Sequence, residues 1–423
     1  MADVAVGARR RALGGGRVTA AASPGAVRER VERRLAERRE ASEGLYSPDG
    51  VARLARLCHR MAERFARDGR LVAVGATAAG RSDARHVAVE FVHPVIVGKR
   101  ALPAIGLTGE TGPVVRELDL IAEPEDIVIA FGEPADGPQL GQALALARER
   151  GCLTVAFAPL GAEWELEPPS ADPFVRQELA ETAYHVLWEL VHVFFEHRGL
   201  LEGRTEQRVH DVGASSFLYP FLGEQEHDLD AILGDVGASA AMKADEVGGL
   251  REQTLGDGFE ALCAAAADLR AAFDAGGRLL ALGNGGSATD AMDAVADFAG
   301  PPPASGWPSR PALDLTADTA IITAIANDIG TEAIFSRQVI AYGRRGDVLL
   351  ALSTSGNSLS VLEALTEARR RGLRTIALVG YDGGRVASEA LADHVVVTRS
   401  QHIPRIQEAQ ATAYHVLREL VES

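Results

Sequence analysis

Aromatic residues make up only 5% of this 423-residue chain, and cysteine occurs three times. The cysteines (Cys58, Cys152, Cys263) lie far apart, with no second Cys or His at ligand spacing, which excludes a disulfide framework and a zinc knuckle. The longest apolar runs are strand-length and are broken by Gly or charge. We therefore expect no membrane segment and no signal peptide, and the default expectation is a cytoplasmic protein.

The chain also lacks a basic surface, since its net charge is −16. Its arginines alternate with Glu along predicted helices instead of forming a stripe, so nucleic acid is not an expected partner. An anionic ligand would need a local positive site, which helix N-termini can supply. A chain of this length is too long for one core, and two domains are expected.

The most informative feature is an internal repeat. The hexapeptide Thr-Ala-Tyr-His-Val-Leu occurs at 182–187 and again at 412–417, each time with a Gln-Glu pair eight residues before its His. The opening strand of each half matches as well, with Gly-Arg-Leu-Val-Ala-Val-Gly at 69–75 and Gly-Arg-Leu-Leu-Ala-Leu-Gly at 277–283. Matched blocks in the same order indicate a tandem duplication.

Each half is predicted to be an α/β unit: a doubly wound, parallel, five-stranded sheet with flanking helices and long helices at both ends. We predict domains over 25–202 and 228–423, a disordered N-terminus over 1–24 and a linker over 203–227. The apolar stretch Ser215–Leu222 within the linker is predicted to dock on a domain surface, with partner binding as the alternative.

Two strand-to-helix turns in the second half have the composition of a phosphate site. Ser-Thr-Ser-Gly-Asn-Ser over 353–358 follows a strand and opens a helix, and so does Gly-Asn-Gly-Gly-Ser-Ala over 283–288. Free N–H groups, hydroxyls and the helix dipole converge on an anion at such turns. A helix cap without a ligand is the alternative interpretation of the Ser-rich turn.

Together with Ala-Asn-Asp-Ile-Gly at 326–330, Phe-Ser-Arg-Gln-Val at 335–339 and Arg-Ile-Gln-Glu at 405–408, these turns resemble the motifs of the phosphoheptose (sedoheptulose 7-phosphate) isomerases of the sugar isomerase (SIS) domain superfamily. The resemblance covers nearly all of the second half and, more weakly, the first. It implies two tandem SIS domains. It also implies that the sugar phosphate is bound by residues of the second half: Asn284, Ser287, Asp328, Ser353, Thr354, Ser355, Ser358 and Gln407.

In that family the chemistry belongs to a His and a Glu four residues apart, with a Gln and a His on the closing helix, and some members bind zinc there. The second half has Asp293 and Asp297 at the first two positions, and an Arg expected four residues later is Pro301. Its phosphate turns are intact, but its chemical set is altered, because Asp293 cannot act as a neutral imidazole ligand or proton carrier.

The first half has the complementary set. The resemblance implies His86, Glu90, Gln177 and His185 as ligands of a divalent metal, with zinc expected, and Glu90 and His185 as the catalytic base and acid. Its phosphate turns are lost, since Gly80 occupies the position of Ser287 and the Ser-rich turn reads Gly-Glu-Pro-Ala-Asp-Gly over 132–137. Alternatively, His86 and Glu90 form an ordinary surface pair, and His185 and His415 are core histidines.

The leading hypothesis is therefore an aldose–ketose isomerase with sites shared between the two domains, and with a homodimer that rebuilds a family tetramer as a pseudo-tetramer. The alternative is a catalytically inactive sugar-phosphate-binding regulatory or assembly protein. A purely structural scaffold is the third possibility. A sugar phosphate is the only small-molecule partner expected.

Overall fold

The two halves of the chain form two separate parallel sheets of five strands each. The computed structural model describes residues 24–95, 99–110, 112–196 and 228–423. Most of the predicted disordered N-terminus, the predicted linker and Ser215–Leu222 therefore lie outside the described residues. None of the helices in the described part of the chain combines the length and hydrophobicity that crossing a membrane requires.

In the first half, two helices precede the sheet and one long helix closes it. Its elements are α1 (Pro24–Leu45), α2 (Pro48–Ala66), β1 (Leu71–Gly75), α3 (Ala78–Val92), β2 (Ala104–Leu107), α4 (Val114–Ile121), β3 (Ile127–Phe131), α5 (Gln139–Glu149), β4 (Leu153–Ala156), β5 (Trp164–Glu165) and α6 (Pro173–Glu196). The strands are ordered β2-β1-β3-β4-β5, and all pairs are parallel.

The second half repeats this plan. Its elements are α7 (Leu229–Asp257), α8 (Phe259–Asp274), β6 (Leu279–Leu282), α9 (Gly286–Ala299), β7 (Ala312–Asp314), α10 (Thr319–Asp328), α11 (Ser336–Tyr342), β8 (Val348–Ser353), α12 (Leu359–Arg371), β9 (Arg374–Gly380), α13 (Gly384–Ser388), β10 (His394–Thr398) and α14 (Ile403–Val421). The order β7-β6-β8-β9-β10 is the first-half order again. The predicted fold class is confirmed.

The central strands are buried along their whole length, because helices cover both faces of each sheet. β1, β3 and β4 are completely buried, as are β6 and β8. This is the pattern expected of parallel strands in α/β folds.

The leading helices α1 and α7 each pack into the cores of both halves. Val31 of α1 lies in the core cluster of the second half, beside Leu255 and Phe259, whereas Ile232 and Val236 of α7 lie in that of the first half. The halves therefore share their hydrophobic cores. The predicted boundaries at 25–202 and 228–423 stay a prediction, and these helices pack across them.

Four helices meet where the halves face each other: α3 and α9, which follow the first strand of each sheet, and the closing helices α6 and α14. α3 packs on α9, and the Ser82 hydroxyl donates a hydrogen bond of 2.8 Å to the carbonyl of Thr289. α14 is buried from Pro404 to Val421. The residues predicted for catalysis and metal binding in the first half, and their counterparts in the second half, lie on these four helices.

Candidate active site

His86 and Glu90 lie one turn apart on α3, as their spacing predicted, and they face the centre of this four-helix contact. His86 Nε2 is 4.0 Å from Glu90 Oε1 and 3.3 Å from Nε2 of His185 on α6. All three side chains are buried. Two nitrogen ligands of one tetrahedral zinc ion lie about 3.3 Å apart, so the two imidazoles have the separation of a ligand pair.

The fourth predicted ligand comes from the opposite half. The Gln407 amide lies 3.2 Å from His86 Nε2, while the side chain of Gln177 is hydrogen-bonded to Asp83. The prediction that Gln177 joins His86, Glu90 and His185 therefore needs correction. The physical reason is that α14 packs against α6 and brings Gln407 to His86, whereas Gln177 bonds a carboxylate of α3 one turn before His86.

The first predicted phosphate turn borders the same cluster. Gly286 opens α9, and a Cβ added to it would overlap Nε2 of Gln407 and lie 2.8 Å from Nε2 of His86. Ser287, the next residue, is buried in the first turn of α9. A first-half imidazole and a second-half anion turn are thus adjacent within one chain.

The Ser-rich turn is linked to that first turn. The Asn284 amide donates a 3.0 Å hydrogen bond to the hydroxyl of Ser360, in the first turn of α12. Within the turn, the Ser353 hydroxyl accepts from the N–H of Gly356, whose φ of +60° brings its backbone against Gly383. Thr354, Ser355 and Ser358 keep partly exposed hydroxyls.

One predicted residue, Asp328, has other surroundings. Asp328 is exposed at the C-terminal end of α10 and accepts a hydrogen bond from Asn327. A pocket of about 430 Å³ opens beside the ends of β9 and β10, lined by residues such as Glu246, Tyr381 and His402, and includes none of the predicted site residues.

The tautomer of His185 is fixed by the opposite half. Its Nδ1–H donates to Glu408 Oε1 at 2.9 Å, which leaves the lone pair on Nε2 facing His86. His415 Nδ1 donates to Glu178 Oε1 in the same way, at 2.8 Å. Each glutamate accepts the Nδ1–H of a histidine and so orients its ring, as carboxylates do behind metal-bound histidines in other proteins. Sequence reasoning missed this role, although the repeated Gln-Glu pair carried the signal.

Burial sets the protonation of this cluster. It lowers the pKa of His86 well below its usual value, and the neighbouring His185 adds to the effect. Burial also raises the pKa of Glu90 to about 7. Glu181 and Asp290 lie 4.0 and 3.8 Å from His86 Nδ1, and burial together with nearby carboxylates raises the pKa of both.

The residues fit a divalent cation. His86 is neutral, His185 offers a lone pair, and Glu90 Oε2 and Gln407 Oε1 are buried atoms without a hydrogen-bond partner in the described chain. The orientation of the Gln407 amide is a choice between oxygen and nitrogen, and with oxygen toward His86 it becomes a fourth ligand. Imidazole, carboxylate and amide oxygen together suit zinc.

A second cluster is related to the first by the repeat. Asp293 and Asp297 on α9 face His415 on α14, at positions equivalent to His86, Glu90 and His185. Burial disfavours a charged imidazole there, but the carboxylates of Asp293, Glu178 and Asp297 outweigh it and raise the pKa of His415 to about 10.

Comparisons with known proteins agree with this architecture. Residues 244–380 match the family model of the SIS domain. The C-terminal domain of a glucosamine-fructose-6-phosphate aminotransferase from Francisella tularensis aligns over 92% of this chain and 94% of its own, with a TM-score of 0.55 at 10% identity. That likeness concerns the fold alone, and it agrees with the two parallel five-stranded sheets of this chain.

Two relatives of known family are similar to this chain in sequence. A phosphoheptose isomerase of Chlorobium phaeobacteroides is 48% identical over 174 residues, covering 40% of this chain and 76% of the relative. One from Citrifermentans bemidjiense is 48% identical over 151 residues, covering 36% of this chain and 77% of the relative. The chain belongs to the phosphoheptose isomerase family.

Proposed function

We propose that this protein isomerises a sugar phosphate between its aldose and ketose forms, at a site built from both SIS domains of one chain. The first half supplies His86, Glu90 and His185, and the second supplies Gln407 and the phosphate turns. The observation that carries the proposal is the contact of Gly286 with His86. It joins the half that kept the reactive side chains to the half that kept the anion site.

The phosphate is proposed to bind at the two turns of the second half, where N–H groups and hydroxyls surround an anion at the starts of α9 and α12. The residues proposed to bind the substrate are Asn284, Ser287, Asp328, Ser353, Thr354, Ser355, Ser358 and Gln407. Binding at this end fixes the position of the sugar carbons, and the reactive end then extends toward Glu90 and His185.

The chemistry needs a proton to move between C1 and C2 through an enediol. Glu90 or His185 removes the proton from one carbon and the same pair returns it to the other, while the hydroxyl and carbonyl oxygens exchange a proton. A carboxyl group with a pKa of about 7 can accept and return a proton near neutral pH. Glu408 keeps the Nε2 lone pair of His185 directed into the site.

A divalent metal, with zinc preferred, is proposed to be bound by His86, Glu90, His185 and Gln407. When bound, it would polarise the substrate oxygens and stabilise the negative charge that develops on them. Gln407 replaces Gln177 in this set, because the Gln407 amide lies 3.2 Å from His86 Nε2.

A second candidate, a sugar-phosphate-binding protein without catalysis, is favoured by one observation. His86 and Glu90 are each 2% exposed and His185 is fully buried, so a substrate reaches them only if surrounding residues move. The phosphate turns alone would suffice for binding.

A coupled assay with sedoheptulose 7-phosphate separates the candidates. Composite catalysis predicts that both His86→Ala and Ser355→Ala lose at least two orders of magnitude in activity. A binding protein predicts no turnover by the wild type, and loss of ligand-induced thermal stabilisation in Ser355→Ala alone. Absence of stabilisation by any sugar phosphate would support a structural scaffold and contradict both.

A homodimer is also proposed, which would rebuild a tetrameric arrangement of four SIS domains. α10 supports it, because none of its residues is buried although it carries three isoleucines, and Ile329 just beyond it is 53% exposed. Light scattering should give twice the chain mass for the wild type and the single mass for Ile329→Asp. Leu120→Asp, at an exposed leucine of α4, is the matched control and should stay dimeric.

A further inference from the structure

The second cluster, Asp293, Asp297 and His415, is not used by the proposed reaction. His415 Nε2 lies 3.4 Å from Asp297 Oδ2 and 3.7 Å from Asp293 Oδ2. Its ligand atoms all lie within 4.8 Å of one another, and all three side chains are buried. These separations place three potential ligands around one point.

Three buried polar atoms of this cluster lack a hydrogen-bond partner. Within the described chain, His415 Nε2, Asp293 Oδ1 and Asp297 Oδ2 have no hydrogen-bond partner. His415 is 0% exposed, and its Nδ1–H is occupied by Glu178, so its remaining nitrogen is directed at the two carboxylates. The other Asp293 oxygen, Oδ2, accepts a hydrogen bond of 2.8 Å from the hydroxyl of Tyr414. Buried polar atoms in native proteins are normally paired, and three unpaired atoms in one buried cluster indicate a missing ligand.

The charge around the point indicates the sign of that ligand. Replacing the first half's His86 by Asp293 adds a carboxylate to the cluster, and Asp83 of α3 lies close enough for Asp293 to raise its pKa. Among the described residues, the ion-pair partner of both Asp293 and Asp297 within 4 Å is His415. The single positive charge that His415 can carry does not balance two buried carboxylates, and unbalanced buried charge is strongly unfavourable.

We infer that Asp293, Asp297 and His415 bind a second divalent cation, whose role is structural. One imidazole and two carboxylates suit Zn²⁺ or Mn²⁺, and the higher oxygen content makes this site more tolerant of Mn²⁺ than the first cluster. The cation joins α9 to the closing helix α14 and neutralises the buried carboxylates at the contact between the halves.

The surroundings exclude a sugar phosphate from this second site. In the first half the Ser-rich turn is replaced by residues 132–137, where Glu133 forms a 2.8 Å ion pair with Arg176. Phe174 stacks on the His415 ring, with the centroids 4.4 Å apart and the planes at 10°. Phe174 thus covers one face of the His415 ring, and residues 132–137 carry no hydroxyl that could bind a phosphate.

Metal counting on the full chain tests the inference. The protein is stripped with a chelator, reloaded with Zn²⁺ or with Mn²⁺, freed of excess ion and analysed by mass spectrometry of the metal. The wild type should hold two ions per chain, Asp293→Asn/Asp297→Asn one, and His86→Asn/Glu90→Gln one. Asp257→Asn, at an exposed carboxylate of α7, is the control and should still hold two.

The inference is overturned if the wild type holds one ion that Asp293→Asn/Asp297→Asn retains and His86→Asn/Glu90→Gln loses. In that case His415 is protonated, and its Nε2–H faces the two carboxylates in place of a metal ion. Asp293→His guards against misfolding of the Asn variant, because it replaces a carboxylate ligand by an imidazole and should keep two ions. Because the count does not depend on turnover, an inactive protein with two ions would contradict the proposed function and leave this inference standing.

Discussion

At the residue scale, two histidines that are identical in sequence context have different surroundings. His185 Nε2 faces a neutral imidazole, whereas His415 Nε2 faces two carboxylates. Each is oriented by a glutamate from the opposite half, Glu408 or Glu178. The chemical difference between the sites therefore arises from the α3 and α9 positions, not from the closing helices.

Glu408→Gln tests this orienting role. Losing the carboxylate behind His185 should weaken zinc binding at the first cluster about 10- to 100-fold, the usual effect of removing an outer-shell partner. Competition with a chromophoric chelator measures it. Glu178→Gln is the matched control, since it makes the same change behind His415 and should leave zinc affinity at the first cluster unaltered. Equal effects of both variants at the first cluster would contradict the assignment.

Gly286→Ala tests the contact between the two halves of the site. The added Cβ would lie 2.8 Å from His86 Nε2 and overlap the Gln407 amide, so we expect at least a tenfold loss of kcat/KM for sugar-phosphate isomerisation. Gly248→Ala on α7, where a Cβ meets nothing within 4 Å, should keep full activity and gain about 0.5–1 kcal/mol in stability. Unchanged kcat/KM in Gly286→Ala would show that the turn is not part of the site.

At the element scale, buried ion pairs connect α6 and α14. Arg405 of α14 binds Glu189 of α6 at 2.6 Å, and Lys243 of α7 binds the same carboxylate at 2.8 Å. Burial disfavours the charged Glu189, but Arg405 and Lys243 outweigh burial and lower its pKa to about 2. The ionised carboxylate is therefore a stabilising connection between the two closing helices.

The ion pairs of Glu189 predict how the free energy of unfolding depends on pH. The folded-state pKa of Glu189 is lowered, so its contribution is present above the unfolded value near 4.5 and is lost as pH falls toward about 2. Urea unfolding at pH 5 and pH 3 should show a larger decrease in the free energy of unfolding for the wild type than for Glu189→Gln, by up to about 2 kcal/mol. Glu149→Gln on exposed α5 should behave like the wild type. Equal decreases in all three proteins would contradict the prediction.

The elements were largely predictable from the sequence, and the pairing of elements across the halves was not. The end of α12 follows from the sequence, because Gly372 takes the left-handed conformation that stops a helix after Arg371. The positions of His86 and Glu90 on one face of α3 follow from helical spacing alone. The exchange of Gln177 for Gln407 depends on how α6 and α14 pack, which no local pattern in either helix encodes.

At the scale of the whole molecule, the two halves form one structure with shared cores. α1 and α7 each pack on the opposite half, and the four helices at the contact bury charged groups from both. In the proposed function, the first half supplies the reactive side chains and the second supplies the anion turns, so each would depend on the other for a complete site. A duplication that preserves both contacts and divides the chemistry accounts for this arrangement.

The shared cores predict cooperative unfolding. Calorimetry of the full chain should give a single thermal transition whose calorimetric and van't Hoff enthalpies agree. Two resolved transitions would mean that the halves unfold as independent domains. That result would contradict a structure in which α1 and α7 contribute to both cores. Val31→Ala, which removes a core residue contributed across the boundary, should lower that single transition temperature without splitting it.

The most direct measurement is a crystal structure of the full chain with sedoheptulose 7-phosphate bound. The account predicts one sugar per chain, with its phosphate on the turns at 283–288 and 353–358 of the second half. Its C1 and C2 should lie beside Glu90 and His185 of the first half in the same chain. A sugar whose phosphate occupies those turns while its carbons point toward Asp293 and Asp297, or away from both clusters, would contradict the composite site.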